Sequence, residues 1–154
     1  MRCRGDAARD ASGNLALYQT LSASPASIVA ANATIGFGML ENHKVTSADA
    51  VKAYLQALLK SLAKTWIRLP RQVWPPEWLY EDGTPRYRQP VIELLQALYG
   101  HPEAGSHWQQ QCEEAIKKHM NAVPIEEYRS TFLFPDFDRL CLCIYVDDFI
   151  LAGK

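Results

Sequence analysis

The stretch Leu140-Cys141-Leu142-Cys143-Ile144-Tyr145-Val146-Asp147-Asp148-Phe149-Ile150-Leu151 constrains this chain more than any other part of it. Two adjacent carboxylates stand between two strongly apolar runs. Burying an unpaired carboxylate is expensive, so the acids do not belong inside a continuous core strand. A β-hairpin resolves the conflict, with two strands in the core and the acidic pair at the turn. Side by side, the carboxylates repel each other, and a divalent cation would relieve that repulsion. Neighbouring strand residues point to opposite faces, so one Asp can ligate inward while the other supports from the side. A third carboxylate would complete a two-metal site of the kind that serves phosphoryl and nucleotidyl transfer. Turns favour Asp in any case, so an exposed Asp-Asp turn in an ordinary hairpin stands beside that reading.

The rest of the chain is long enough to bury such a hairpin. It has 154 residues, 48% of them apolar and 21% charged, which fits one globular domain. No apolar run reaches the roughly 18 residues of a membrane span, and the charged start lacks the apolar core of a secretory signal. Cys3, Cys112, Cys141 and Cys143 form no C-x-x-C pair, so they read as reduced thiols of an intracellular protein, cytoplasmic or nuclear. Cys141 and Cys143 would share one strand face as small hydrophobes. The net charge of −1 argues against a uniformly basic nucleic-acid binder. Basic residues do cluster, at Arg2, Arg4 and Arg9, at Lys60, Lys64, Arg68 and Arg71, at Arg86 and Arg88, and at Lys117 and Lys118. Such clusters are more often solvated faces than binding sites.

Along the chain, Ser12-Gly13-Asn14 signals a turn. Ser24 before Pro25 reads as an N-cap with Pro at the first helical position, opening a buried helix over 26–41 that Gly36 and Gly38 weaken. Val45 to Asp49 reads as a short strand, Val51 to Leu59 as a helix, and Thr65 to Leu69 as a strand stopped by Pro70. Residues 70–90 hold four prolines, Gly83, Trp74 and Trp78 past Pro70 and read as a loop or insertion. Ala104 to Met120 has helical spacing, with Trp108, Cys112, Ala115, Ile116 and Met120 toward one side. Thr131 to Phe134 and Leu140 to Val146 are strands joined through Pro135-Asp136-Phe137-Asp138. The mixture is α+β, not a doubly wound sheet.

Three ordered motifs carry a family resemblance. Tyr145-Val146-Asp147-Asp148 resembles the signature hairpin of reverse transcriptases. Asp49-Ala50-Val51-Lys52-Ala53-Tyr54-Leu55 is similar to the copia-type segment Asp-Val-x-x-Ala-Phe/Tyr-Leu. Leu98-Tyr99-Gly100, followed by Pro102 and Trp108, resembles the family's Leu-Tyr-Gly-Leu-Lys-Gln-x-Pro-x-x-Trp. Ser130-Thr131-Phe132-Leu133-Phe134 resembles the strand before the catalytic hairpin. The resemblance covers most of the chain and implies an RNA-directed DNA polymerase domain of a copia-type LTR retrotransposon polyprotein. The implied fold is a ferredoxin-like palm, an antiparallel sheet with the helices 26–41 and 104–120 on one face. Residues 1–44 would be a fingers remnant and first helix, and 45–154 the palm.

The resemblance also implies residue roles. Asp49, Asp147 and Asp148 would be catalytic and would hold two Mg2+ ions, or Mn2+. The Ala50 carbonyl would assist one ion, and Ala53 would lie at the nucleotide. Tyr54 would act as a steric gate that leaves no room for a 2′-hydroxyl. Tyr99 and Gly100 would line the nucleotide or template side, where a glycine lets the backbone come close. Tyr145 and Val146 would lie beneath the primer end. The implied partners are an RNA template, a DNA primer and deoxynucleoside triphosphates, with no membrane.

This chain departs from the family pattern in places. Ala50 replaces Val, Pro102 and Glu103 replace Lys-Gln, and Gly105 replaces the later Pro. An acidic Glu103 near a triphosphate would be unfavourable. Arg2 and Arg4 lie where a remnant of the basic fingers strand would be. The chain stops six residues after Asp148, so the expectation is an incomplete domain that lacks the family's thumb and ribonuclease H domains. Without a thumb, the primer end is poorly positioned at the metals, and positioning supplies much of the rate. A catalytically inactive relic and a small α+β interaction domain are the alternative readings.

Overall fold

A computed structural model describes residues 8–10, 12–16, 23–61 and 63–154. Arg2, Cys3 and Arg4 lie outside the described residues. The order is α1 (Ile28–Gly38), β1 (Lys44–Asp49), α2 (Ala53–Gln56), β2 (Trp66–Arg68), β3 (Val91–Glu93), α3 (Ala104–Met120), β4 (Val123–Pro124), β5 (Thr131–Phe134), β6 (Leu140–Tyr145) and β7 (Asp148–Gly153). One antiparallel sheet runs β1-β7-β6-β5-β4, and β2 and β3 form a separate ladder. The architecture is mixed α+β with antiparallel sheets, as expected. No helix among the described residues is long and apolar enough to cross a membrane.

The apolar run 140–144 becomes the central strand, buried along almost its whole length. A strand buried on both faces needs cover on both. Leu142 and Ile144 point toward α3 and pack with Phe132, Phe134, Trp108 and Cys112. Burial of each of the two phenylalanines contributes about 1.5–3 kcal/mol. Cys143 points the other way and packs with Ala26 and Ala30. Cys141 lies on that side too, its Sγ 3.7 Å from Thr34 Oγ1 in α1. The two long helices therefore cover opposite faces, not the single face expected from sequence. The alternation Leu-Cys-Leu-Cys-Ile is apolar at both parities, and only packing shows that each side needs a helix. Burial pushes the Cys112 thiol up to about 11 and also raises those of Cys141 and Cys143. These thiols act as core hydrophobes.

Helix α1 starts later than expected. Ser27, not Ser24, is the N-cap, its Oγ accepting from Ala30 N–H at 3.1 Å. Pro25 lies upstream in chain that docks on β6, where Ala26 N–H donates to Ile144 O. The helix ends at Gly38 instead of reaching Glu41. A Cβ at Gly38 would overlap Val45 Cγ2 and lie 3.1 Å from Ala152 Cβ. Glycine there permits α1 to lie close on β1 and β7.

The helix expected over 51–59 shrinks to Ala53–Gln56. Lys52 enters the left-handed region at φ 56°, and the chain beyond Gln56 turns extended. Ala97 N–H donates to Ala57 O at 2.8 Å, and Leu59 N–H to Leu95 O at 2.9 Å. Pairing with residues 95–97 overrides a modest helix propensity. Helix α3 has the expected bounds, but its inward stripe is Ala104, Trp108, Cys112 and Ile116. Ala115 and Met120 face solvent. Its last turn carries Lys117, Lys118 and His119, which suit the negative end of the helix dipole.

Candidate functional site

The acidic turn is built by three neighbouring strands. β6 ends at Tyr145, Val146 and Asp147 turn the chain, and β7 begins at Asp148. The strand expected to reach Val146 stops one residue earlier because Val146 sits at φ 58°. A β-branched residue there is a genuine outlier, costing about 1–3 kcal/mol. The surroundings hold it in place. Trp108, buried in α3, donates its Nε1–H to Val146 O at 2.7 Å. On the other side of the turn, Ala50 N–H donates to Asp147 O at 2.8 Å.

That second bond brings β1 to the turn. In the β1–β7 register Asp49 stands directly opposite Asp148. Directly opposed residues point to the same face with Cβ atoms about 4.5–5.5 Å apart. Asp49 and Asp148 are exposed and Asp147 is half-buried. Among the described residues, none of the three carboxylates has an ion pair or a side-chain hydrogen bond. Like charges directly opposite across a ladder destabilise it, so something other than sheet stability accounts for this pairing. The backbone thus gathers all three aspartates at one end of the sheet. Among the described residues, however, no three His, Cys, Asp or Glu side chains are oriented as a metal-ligand group.

Tyr54 stands beside this end. Its ring lies 4.6 Å from that of Tyr99, tilted by 38°. Burial raises the Tyr54 hydroxyl above its usual range, and the negative charge of Asp147 and then Tyr99 add to the rise. Tyr54 therefore lies within the field of Asp147. Gly105 approaches closely, and a Cβ there would lie 3.8 Å from the Tyr54 hydroxyl and 3.1 Å from Ala23 Cβ. Gly100 adopts φ 90° in the turn closed by His101 N–H donating to Leu98 O, a conformation that favours glycine. Tyr145 is exposed and pairs with Asp148, so it shares the face of Asp49 and Asp148.

Ala53 does not present a side chain to a ligand. It is fully buried in the core under Tyr54. Ala50 serves through its backbone, with its N–H on Asp147 and its carbonyl accepting from Ala53 N–H. Glu103 is buried rather than turned toward the aspartates, and its Oε2 accepts from Ser61 Oγ. Nearby, His101 Nδ1 accepts from Glu103 N–H at 3.2 Å, while its Nε2 meets Thr65 Oγ1 at 3.1 Å. Sequence reasoning missed this polar knot and missed Trp108 as the anchor of the turn. A tryptophan on an inward helical stripe does signal an indole N–H in need of an acceptor.

Neither protein-family profiles nor solved structures give a match to this chain. The chain is similar to the Transposon Ty1-MR1 Gag-Pol polyprotein of Saccharomyces cerevisiae (strain ATCC 204508 / S288c), with 26% identity over 122 residues. The match spans 79% of this chain and 6% of that polyprotein. The chain is thus similar to a small part of a retrotransposon polyprotein.

Proposed function

We propose that this chain carries the catalytic strand and hairpin of a copia-type reverse transcriptase, performing RNA-directed DNA synthesis by two-metal nucleotidyl transfer. One observation carries the reading: Asp49 is paired with Asp148 across β1 and β7, with Asp147 locked in the adjoining turn by Ala50. The similarity to a Gag-Pol polyprotein supports it. The donor set suits Mg2+ or Mn2+, since hard cations take carboxylate oxygens and these three carboxylates lack protein partners among the described residues. Asp49, Asp147 and Asp148 would hold the ions. When bound, the ions lower the pKa of an attacking hydroxyl and neutralise the leaving phosphates.

The chain's own residues do the positioning. Trp108 and Ala50 fix the turn from two sides, so the acidic pair keeps its place relative to Asp49. Tyr54, backed by Tyr99, offers a ring where a sugar edge would rest, and its bulk excludes a 2′-hydroxyl. Tyr145, on the face of Asp148, offers a platform for a primer terminus. The test is primer extension by the full chain on an RNA template with a DNA primer, in Mg2+ and then Mn2+. Extension that disappears in Asp147→Asn is the expected result. Manganese binding, read by electron paramagnetic resonance, should weaken at least tenfold in Asp49→Asn and in Asp148→Asn. Wild-type manganese binding in both variants, with no extension, would overturn the proposal and leave an α+β interaction domain.

A further inference from the structure

The two edges of the five-stranded sheet, β4 on one side and β1 on the other, are built differently. In an antiparallel pair, residues alternate between exchanging both backbone hydrogen bonds with the neighbour and exchanging none. Ile125 N–H donates to Thr131 O, in register with the β4–β5 ladder, so the outward-pointing position of β4 is Pro124. Proline has no N–H to offer, and β4 is only two residues long. That edge is closed to a further strand, as exposed edges commonly are.

β1 has no such protection. Ala50 N–H donates to Asp147 O, in register with the β1–β7 ladder. Lys44, Thr46 and Ala48 therefore bond to β7, and the N–H and C=O groups of Val45, Ser47 and Asp49 point outward. Among the described residues, no other strand takes them up. β1 is six residues long, exposed throughout, and its register carries neither a proline nor a bulge. A second copy of β1 fits this edge. A two-fold axis perpendicular to the sheet would make the two strands antiparallel and keep both copies of α1 on one side. The outward groups of Val45 would then meet those of the partner's Ser47. Thr46 would face the partner's Thr46 at the axis, a favourable cross-strand pair. His43, one residue before β1, would face the partner's Asp49. The next register along would set Asp49 against the partner's Val45 instead, so charge selects the first.

The side chains at this edge suit that register. Asp49 and Asp148, opposed across β1 and β7, are exposed carboxylates in need of a cation. The His43 ring meets Phe37 of α1 edge to face at 4.9 Å, and its Nδ1 lies 2.8 Å from Glu41 O, so the protonated ring presents Nε2–H outward. Val29, Ala33, Phe37 and Leu40 follow one another at helical spacing. The flank of α1 that meets His43 therefore also carries Val29 and Leu40, 59% and 54% exposed. The two-fold axis sets the two copies of α1 antiparallel, which turns Val29 toward the partner's Leu40. We infer that the chain pairs with a second copy of itself along β1, in the register that sets His43 against the partner's Asp49. The inference does not rest on the polymerase reading, because the pairing needs neither metal nor nucleic acid.

The experiment is sedimentation velocity of the full chain in EDTA, from micromolar to sub-millimolar concentration, where a monomer–dimer equilibrium is expected. Ser47→Pro removes an outward donor without touching a bond to β7, and should abolish the dimer. His43→Asp should weaken it about tenfold, because the repulsion acts twice across the axis, and His43→Asp combined with Asp49→His should restore it. Cys112, Cys141 and Cys143 are buried, so a Cys3→Ser background is quiet for cross-linking. In that background Thr46→Cys should form disulfide-linked dimers on oxidation, since residues facing each other at such a position have Cα atoms about 4.5 Å apart. Ser47→Cys should not. Circular dichroism melts establish that each variant is folded. A chain that stays monomeric throughout, a dimer that Ser47→Pro leaves intact, or cross-linking through Ser47→Cys instead of Thr46→Cys would overturn the inference. Absent self-pairing alongside intact manganese binding would count against this inference alone, and the reverse result against the polymerase reading alone.

Discussion

Replacing Trp108 by Phe keeps an aromatic ring in the core and removes one donor. The indole of Trp108 is 6% exposed and holds Val146 O at 2.7 Å. Leaving a buried acceptor without its donor costs about 1–3 kcal/mol. Part of that is returned, because the turn no longer has to keep Val146 in the left-handed region, a strain of about 1–3 kcal/mol. A Phe in place of Trp also leaves a small void. The net expectation is a loss of about 1–2 kcal/mol, or about 2–8 °C in Tm for a domain of this size. Urea unfolding followed by circular dichroism reads the loss as a lower midpoint at unchanged slope. Hydrogen exchange should localise it, with the amides of Ala50 and the 145–148 turn exchanging faster. Trp108→Ala, which also removes the ring, should cost about 3–5 kcal/mol. A Phe variant as stable as the parent, with the turn amides still protected, would refute the argument that the indole holds the acidic turn.

Two further perturbations test other contacts. Gly38→Ala should destabilise the fold by about 1–3 kcal/mol through overpacking against Val45 and Ala152, measured by the same urea titration, whereas Gly36→Ala meets open space and should be neutral or stabilising. His101 is held neutral by burial, which lowers its pKa, although Glu103 opposes the shift and His107 adds to it. The fold therefore favours the uncharged ring. Its stabilising contribution is present above the ordinary histidine range near 6.5 and is lost as pH falls through the lowered value. Urea midpoints between pH 7.5 and 5 should fall for the parent more steeply than for His101→Gln.

Several elements were legible from local pattern alone. Helix α3 has the bounds that its spacing predicts, and the β6–β7 hairpin follows from two apolar runs around Asp147 and Asp148. In both, local propensity and burial agree, so neighbours had little to change. The expected helix 51–59 failed where they disagreed, because its second half pairs with residues 95–97, a partner far away in sequence. The start of α1 moved from Ser24 to Ser27 for a similar reason, since residues 24–26 serve the end of β6.

By itself the sequence determined the α+β class, the central hairpin and the acidic turn at Asp147 and Asp148, while Asp49 stood out only through its family resemblance. The class, the hairpin and the turn depend on hydrophobic period and on the cost of burying charge, both of which act over a few residues. Only the tertiary structure decided that α1 and α3 cover opposite faces of the sheet. Only it placed Asp49 opposite Asp148, sent Glu103 to Ser61, buried Ala53, and set the indole of Trp108 against Val146. Each of these depends on register and on contacts between residues tens of positions apart, which no local pattern encodes.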